Sequence, residues 1–167
     1  MNFDFDRIVR TLADHDVDYV LVGGMAAVAH GSTLPTEDVD ITPSRAPDNL
    51  DRLAAALDEL GARIRTAGEP GGVDFPCTGA FLAAMPMMLN LTTEAGDVDL
   101  TIRPSGFDEG FDDLSPRASA IDVGGGVVVR VAALDDVIAS KRAAGRTKDQ
   151  AALPYLEALA DEIARGH

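Results

Sequence analysis

The sequence predicts a domain of mixed helices and strands, of α/β or α+β class, with a mixed sheet flanked by helices. Apolar stripes at helical spacing recur near both ends of the chain. Short apolar or alternating runs lie between them, and glycine-bearing turns join pairs of these runs into hairpins. No repeat, linker or low-complexity tract interrupts the 167 residues, so residues 1–167 are expected to form one domain.

Phe5, Ile8, Val9 and Leu12 keep the i, i+3, i+4, i+7 spacing of an amphipathic helix, and Tyr19-Val20-Leu21-Val22 is an apolar run with strand character. Gly23-Gly24 ends that strand, and the small apolar stretch Met25–His30 is helical up to Gly31. Ser32–Glu37 reads as a loop, after which Asp38-Val39-Asp40-Ile41 alternates as a half-buried strand does, closed by Pro43 and Pro47. Leu50, Leu53, Ala54, Leu57 and Leu60 form the clearest helical stripe, stopped at Gly61. Glu69–Gly72 and Pro76–Ala80 read as loops. Met87–Thr92 and Val98–Ile102 flank the turn Glu94-Ala95-Gly96-Asp97 as a hairpin, and Ser119–Val123 with Val127–Val131 form a second one across Gly124-Gly125-Gly126. Leu134, Val137 and Ile138 begin a helix that carries Lys141. Leu153, Leu156, Leu159 and Ile163 mark a last helix, which Pro154 fits only near its first turn, leaving the start of that helix open.

Composition narrows the function. With 46% hydrophobic and 25% charged residues the chain has the balance of a folded soluble protein. No apolar run approaches the roughly 20 residues of a membrane span. Met1–Arg10 carries Asp4 and Asp6 where a signal peptide needs basic then apolar residues, so a cytoplasmic location without membrane association is expected. The single Cys77 forms no internal disulfide or multi-cysteine metal site and is read as a packing residue. A net charge of −14 opposes loose binding to nucleic acid, because phosphate affinity comes from Lys and Arg displacing counterions. A polyanionic substrate therefore needs a local basic patch or metal ions.

Asp38 and Asp40, two apart on a strand, project from one face while Val39 and Ile41 take the other. Like charges so placed repel, and a divalent cation relieves them. Carboxylate-only ligation suits Mg²⁺ or Mn²⁺, which points to phosphoryl or nucleotidyl transfer. Asp99, between Val98 and Leu100 on a second strand, can complete a metal-binding and catalytic triad, with Asp97 on the same face as the alternative. A D-x-D in an acidic chain is by itself commonly surface charge. What sets this one apart is its company: Gly23-Gly24 between a strand and a helix, where bare backbone can meet an anion, then His30-Gly31 and Thr36 in succession.

On these residues the run Leu21–Ile41 resembles the polymerase-β-type nucleotidyltransferase superfamily. It is most similar to small bacterial members with the pattern G-G-x-A…H-G-x-x-R-x-T-x-D-x-D, including the AbiEii-like toxins of toxin–antitoxin systems. Gly23, Gly24, Ala26, His30, Gly31, Thr36, Asp38 and Asp40 match, whereas Leu34 stands where the pattern has Arg. A second resemblance lies in Leu134–Lys141 followed by Gly145–Asp149, similar to the C-terminal K…(R/K)-x-K-D segment of those proteins. The resemblance implies a polymerase-β-like nucleotidyltransferase fold and transfer of a nucleoside monophosphate from an NTP to an acceptor hydroxyl. Asp38, Asp40 and Asp99 would hold Mg²⁺ or Mn²⁺, Gly23 and Gly24 would line the phosphates, and Lys141 and Lys148 would bind substrate. The implied acceptor is RNA, tRNA in particular, with an antitoxin protein as partner. A small-molecule acceptor, as in antibiotic-modifying nucleotidyltransferases, and a non-catalytic binding module are the alternatives, and the acidic surface favours a cationic small acceptor over tRNA.

Lys141, Arg142, Arg146 and Lys148 make the one dense basic cluster of the sequence. The bland reading is that these cations complement a helix C-terminus, for about 0.3–1 kcal/mol each. Asp149 is placed either to pair with Lys141 or Lys148 or to cap the last helix. His30 is read as a residue that fixes the loop before Asp38, and Arg103 and Arg130 as surface residues.

Overall fold

The structure, a computed structural model, describes residues 3–166; Met1, Asn2 and His167 lie outside the described residues. In chain order the elements are α1 (Phe5–Asp14), β1 (Tyr19–Val22), α2 (Gly23–Ala29), β2 (Asp38–Pro43), α3 (Pro47–Glu59), β3 (Arg63–Thr66), β4 (Glu69–Val73), α4 (Gly79–Ala83), β5 (Met88–Thr93), β6 (Gly96–Thr101), α5 (Phe111–Leu114), β7 (Ser119–Asp122), β8 (Val128–Val131), α6 (Leu134–Ala144) and α7 (Thr147–Ala164). The strands form one mixed sheet of eight in the order β4-β3-β5-β6-β2-β1-β8-β7. The pairs β2–β6 and β1–β8 are parallel and the other neighbours antiparallel.

The core follows from the periodicities. Ile8, Val9 and Leu12 of α1 and Leu50, Leu53 and Leu57 of α3 are buried in one cluster with Val39, Ile41, Leu91, Val98 and Leu100 of the central strands. Asp4 caps α1 by accepting a hydrogen bond from the Arg7 amide at 3.0 Å. Asn49, nearly fully buried on α3, bonds both the amide and the carbonyl of Asp18 and the carbonyl of Ser44, tying α3 to the loops at that end of the β1–β2 pair. The expected helices, both hairpins and the glycine stop at Gly61 are present.

Three expectations change. Glu69–Gly72 is not a loop but belongs to β4, an exposed edge strand paired antiparallel with β3. Its Pro70 and glycines hide the strand from any pattern of alternation, and an edge position tolerates a residue without an N–H. Pro76–Ala80 is a loop only up to Thr78, whose hydroxyl caps α4 by accepting from the Phe81 amide at 3.1 Å. Pro154 does not lie in a first turn: α7 begins seven residues earlier, at Thr147. The proline leaves the Gln150 carbonyl without its helical donor, but Gln150 is exposed, so water can serve it. Burial of Leu156, with Leu153 and Leu159 packed against the core, holds the helix through the proline. Among the described residues no helix is long and apolar enough to cross a membrane.

Leu100, fully buried on β6, and Val128, exposed on β8, give a direct test of this core. Leu100→Ala is expected to lower unfolding free energy by about 2–5 kcal/mol, and Val128→Ala by less than about 0.5 kcal/mol, in urea titrations. Equal effects would mean that β6 is not central.

Candidate active site

The parallel pairing of β2 with β6 makes Asp40 the register partner of Asp99 and Asp38 that of Asp97. Alternation sends Val39, Ile41, Val98 and Leu100 into the core and these acids to the opposite face. Carboxylate oxygens of Asp38, Asp40 and Asp99 lie within 4.8 Å of one another. Asp97, the alternative third acid, is drawn toward Arg65 at 3.3 Å. The cluster forms part of the wall of a cleft of about 830 Å³ between the sheet and helices α2, α6 and α7.

The electrostatics are those of an under-neutralised site. Burial, then the charges of Asp38 and Asp99, push the Asp40 carboxyl up to about 8, with Lys148 across the cleft pulling against them. Burial also raises Asp99, opposed by the hydrogen bond and charge of Arg65. Three oxygen donors that cannot comfortably ionise together fit a hard divalent cation. Thr36 donates from Oγ1 to Asp38 Oδ1 at 3.3 Å and so orients one of them.

The glycine pair has a steric reason as well as a backbone one. Gly23 begins α2 at φ +67°, and a Cβ there would collide with the Asp40 carboxylate. A Cβ on Gly24 would come within 2.8 Å of Thr36 Oγ1. Both glycines line the cleft beside the acids for which they make room. His30 holds the end of α2 to the residue after β8, its Nε2 lying 2.8 Å from the Ala132 carbonyl, in keeping with a loop-fixing role.

Opposite the acids, α6 and α7 bring Lys141, Arg146 and Lys148 to the cleft. Asp149 is neither a cap nor a partner of Lys148. The N-cap of α7 is Arg146, and the fully buried Asp149 carboxylate receives Arg146 Nε at 2.6 Å and Lys141 Nζ at 3.5 Å. Burial penalises its charge, but Arg146 and Lys141 more than offset this and hold the carboxyl below its usual range. Arg142 turns away and pairs with Glu157 at 2.7 Å. Leu34, in the place of the expected Arg, lines the same cleft.

Sequence reasoning missed Arg65 and Asn90. Both line the cleft, and Arg65 Nη2 lies 2.7 Å from Asp99 Oδ1. The alternation Arg63-Ile64-Arg65 between Gly61 and Gly68 was the available signal for β3. The lesser candidates stay outside the cleft. Arg103 donates to the Pro86 carbonyl at 3.2 Å, and Arg130 lies over the Phe111 ring at 5.5 Å. Cys77 donates to the Ala54 carbonyl at 3.3 Å, with its thiol pushed up to about 11 by burial and the nearby Asp58 charge, which makes it a packing residue and not a nucleophile.

Comparison by sequence finds no matching family model and no matching curated protein. Comparison of structures finds nucleotidyltransferases. The lincosamide antibiotic adenylyltransferase LnuA, solved with lincomycin bound, superposes with a TM-score of 0.57 at 15% identity, covering 95% of this chain and 99% of that one. The antibiotic-resistance factor ANT(2'')-Ia gives 0.55 at 17% identity over 95% of this chain and 89% of its own. A protein of Thermotoga maritima assigned as a nucleotidyltransferase gives 0.55 at 14% identity over 89% and 87%. The chain has the nucleotidyltransferase fold.

The proton on Asp40 sets a pH dependence. Between about pH 4, where an exposed Asp ionises, and about pH 8, the native state keeps a proton that the unfolded chain has released. The stability held by that proton falls across this window and levels off above about pH 8, so metal-free protein should melt at progressively lower temperature from pH 5 to pH 8. Asp40→Asn should flatten that slope and melt higher than wild type at pH 9 in chelator. A wild-type slope unchanged by the substitution would show that Asp40 does not carry the proton. Gly23→Ala should lower the melting temperature, since both its φ and the Asp40 carboxylate oppose a side chain.

Proposed function

We propose that this protein transfers a nucleoside monophosphate from an NTP to the hydroxyl of a compact, cationic small molecule, with release of pyrophosphate. The observation that carries the reading is the convergence of Asp38, Asp40 and Asp99 to within 4.8 Å on one wall of a cleft whose other wall bears Lys141, Arg146 and Lys148. Asp38, Asp40 and Asp99 would hold Mg²⁺ or Mn²⁺, whose charge would neutralise the phosphates and acidify the attacking hydroxyl. Asp99 keeps one oxygen free of Arg65, suited to take the hydroxyl proton as the acceptor oxygen bonds the α-phosphorus and the bond to the pyrophosphate oxygen breaks. Lys141, Arg146 and Lys148 face the departing charge, with Asp149 fixing the first two. Gly23 and Gly24 line the cleft, where their backbone would meet the phosphates.

A net charge of −14 and the cleft's own acids favour a cationic acceptor, and two of the similar proteins were solved with small molecules, LnuA with lincomycin and ANT(2'')-Ia with adenylyl-2''-tobramycin. The RNA-directed reading, a tRNA-modifying toxin with an antitoxin partner, rests on the match of Gly23–Asp40 and Lys141–Asp149 to the AbiEii-like pattern. Such a protein needs more basic surface than this one carries. The complete set of acids and facing cations weighs against a non-catalytic module.

Calorimetry with each NTP should give Mg²⁺-dependent binding that disappears in the Asp38→Ala/Asp40→Ala double variant. No binding to wild type would favour the non-catalytic module. Labelled NTP offered with total RNA, and separately with aminoglycosides and lincosamides, should label the small molecules; label in RNA would reverse the choice of acceptor. Lys141→Ala and Lys148→Ala should each raise the KM for NTP by about tenfold, consistent with loss of a charged contact of about 1.4 kcal/mol.

A further inference from the structure

Among the described residues, Arg65 is the cation in direct contact with the acidic cluster, and it reaches it from two strands away. Ile64 of β3 is in register with Leu91 of β5, so Arg65 falls beside Asn90, itself the partner of Asp99 on β6. The Arg65 side chain crosses over β5, where Asn90 is short and exposed. It is held at three points: Nη1 donates to the Leu91 carbonyl at 3.0 Å and meets Asp97 Oδ2 at 3.3 Å, and Nη2 donates to Asp99 Oδ1 at 2.7 Å. A planar guanidinium satisfies three acceptors in fixed directions, as a lysine ammonium on a flexible stem does not.

Asp99 needs such a hold. It faces Asp40 across a parallel pair, so the direction of its carboxylate decides whether the two acids can share one ligand. On the reading of the cleft as a nucleotidyl-transfer site, we infer that Arg65 is a positioning residue: it clamps Oδ1 of Asp99 so that the second oxygen stays toward Asp40, available as a ligand to a metal that the acids would hold. The competing role, a strap that only ties β3 to β6, uses the same contacts but has a different consequence. A positioning clamp governs how well Asp99 serves as a ligand; a strap governs only stability.

The two separate by sign in a Mn²⁺ titration of nucleotide-free protein followed by electron paramagnetic resonance. Removing a cation beside a metal site should by Coulomb's law tighten Mn²⁺ binding. Loss of a positioned ligand should weaken it, by about 10-fold as for other residues that orient metal ligands. Arg65→Gln is expected to weaken Mn²⁺ binding about 10-fold, and Arg65→Lys, which restores charge without the fork, to recover only part of it. Asp97→Asn, which removes one charge and one of the holds on Arg65 but keeps the Arg65–Asp99 contact, should weaken Mn²⁺ binding less than Arg65→Gln does. In turnover, Arg65→Gln should lower kcat about 10-fold while the KM for NTP stays within about twofold. Unchanged or tighter Mn²⁺ binding in Arg65→Gln, or equal weakening in Asp97→Asn, overturns the positioning role. Wild type that binds Mn²⁺ but transfers no nucleotide removes the proposed reaction and leaves the Arg65 assignment to stand or fall on the Mn²⁺ comparison. Wild type that binds no Mn²⁺ overturns the inference together with the metal site.

Discussion

The parallel seam between β2 and β6 forces like charges together, and much of the molecule answers that constraint. Asp40 and Asp99 are register partners, Asp38 stands two residues along, and the partial burial of the three acids weakens the screening of their charges. Gly23 gives up its side chain so that the Asp40 carboxylate has room. Arg65 reaches across a strand to hold Asp99, and Lys148 acts on Asp40 from the far wall of the cleft. A divalent cation bound among these carboxylates would relieve that crowding.

Rigidity comes from the same two strands. Val39, Ile41, Val98 and Leu100 alternate with the acids and are fully buried against α1 and α3, so the backbone carrying the site is fixed by the core. A shift of one residue in register would expose four apolar side chains and bury the charges, and it is therefore strongly opposed. Precision at the site is in this sense a by-product of hydrophobic patterning.

The far wall is arranged differently. Its cations come from two helices joined at Gly145, and a buried acid, Asp149, gathers Lys141 of α6 and Arg146 at the start of α7. Removing either partner would leave part of a fully buried charge uncompensated, which is costly, so the pairings also fix the angle between the helices near the cleft. The acidic wall is thus set by strand register and the basic wall by ion pairs.

By itself the sequence determined what periodicity and local chemistry control. The stripes of α1 and α3, the strands bearing Asp38, Asp40 and Asp99, and the hairpin around Glu94-Ala95 were legible because alternation and helical spacing record which face meets the core. The glycine pair and the basic segment were legible as local motifs. Tertiary structure alone decided which strands are neighbours. The β2–β6 pairing joins residues about sixty apart, and that is what turned Asp99 from a candidate third acid into the partner of Asp40. It also decided the place of Arg65, on a strand whose edge partner carries Pro70 and glycines in place of an alternating pattern, and of Asp149, whose choice of Lys141 and Arg146 depends on the packing of α6 against α7. It carried α7 back through Pro154 to Thr147 against the local preference of proline. The reason is common to all four: local sequence records which face of an element is buried, while the partner across that face is selected by the summed packing and pairing energy of the whole domain.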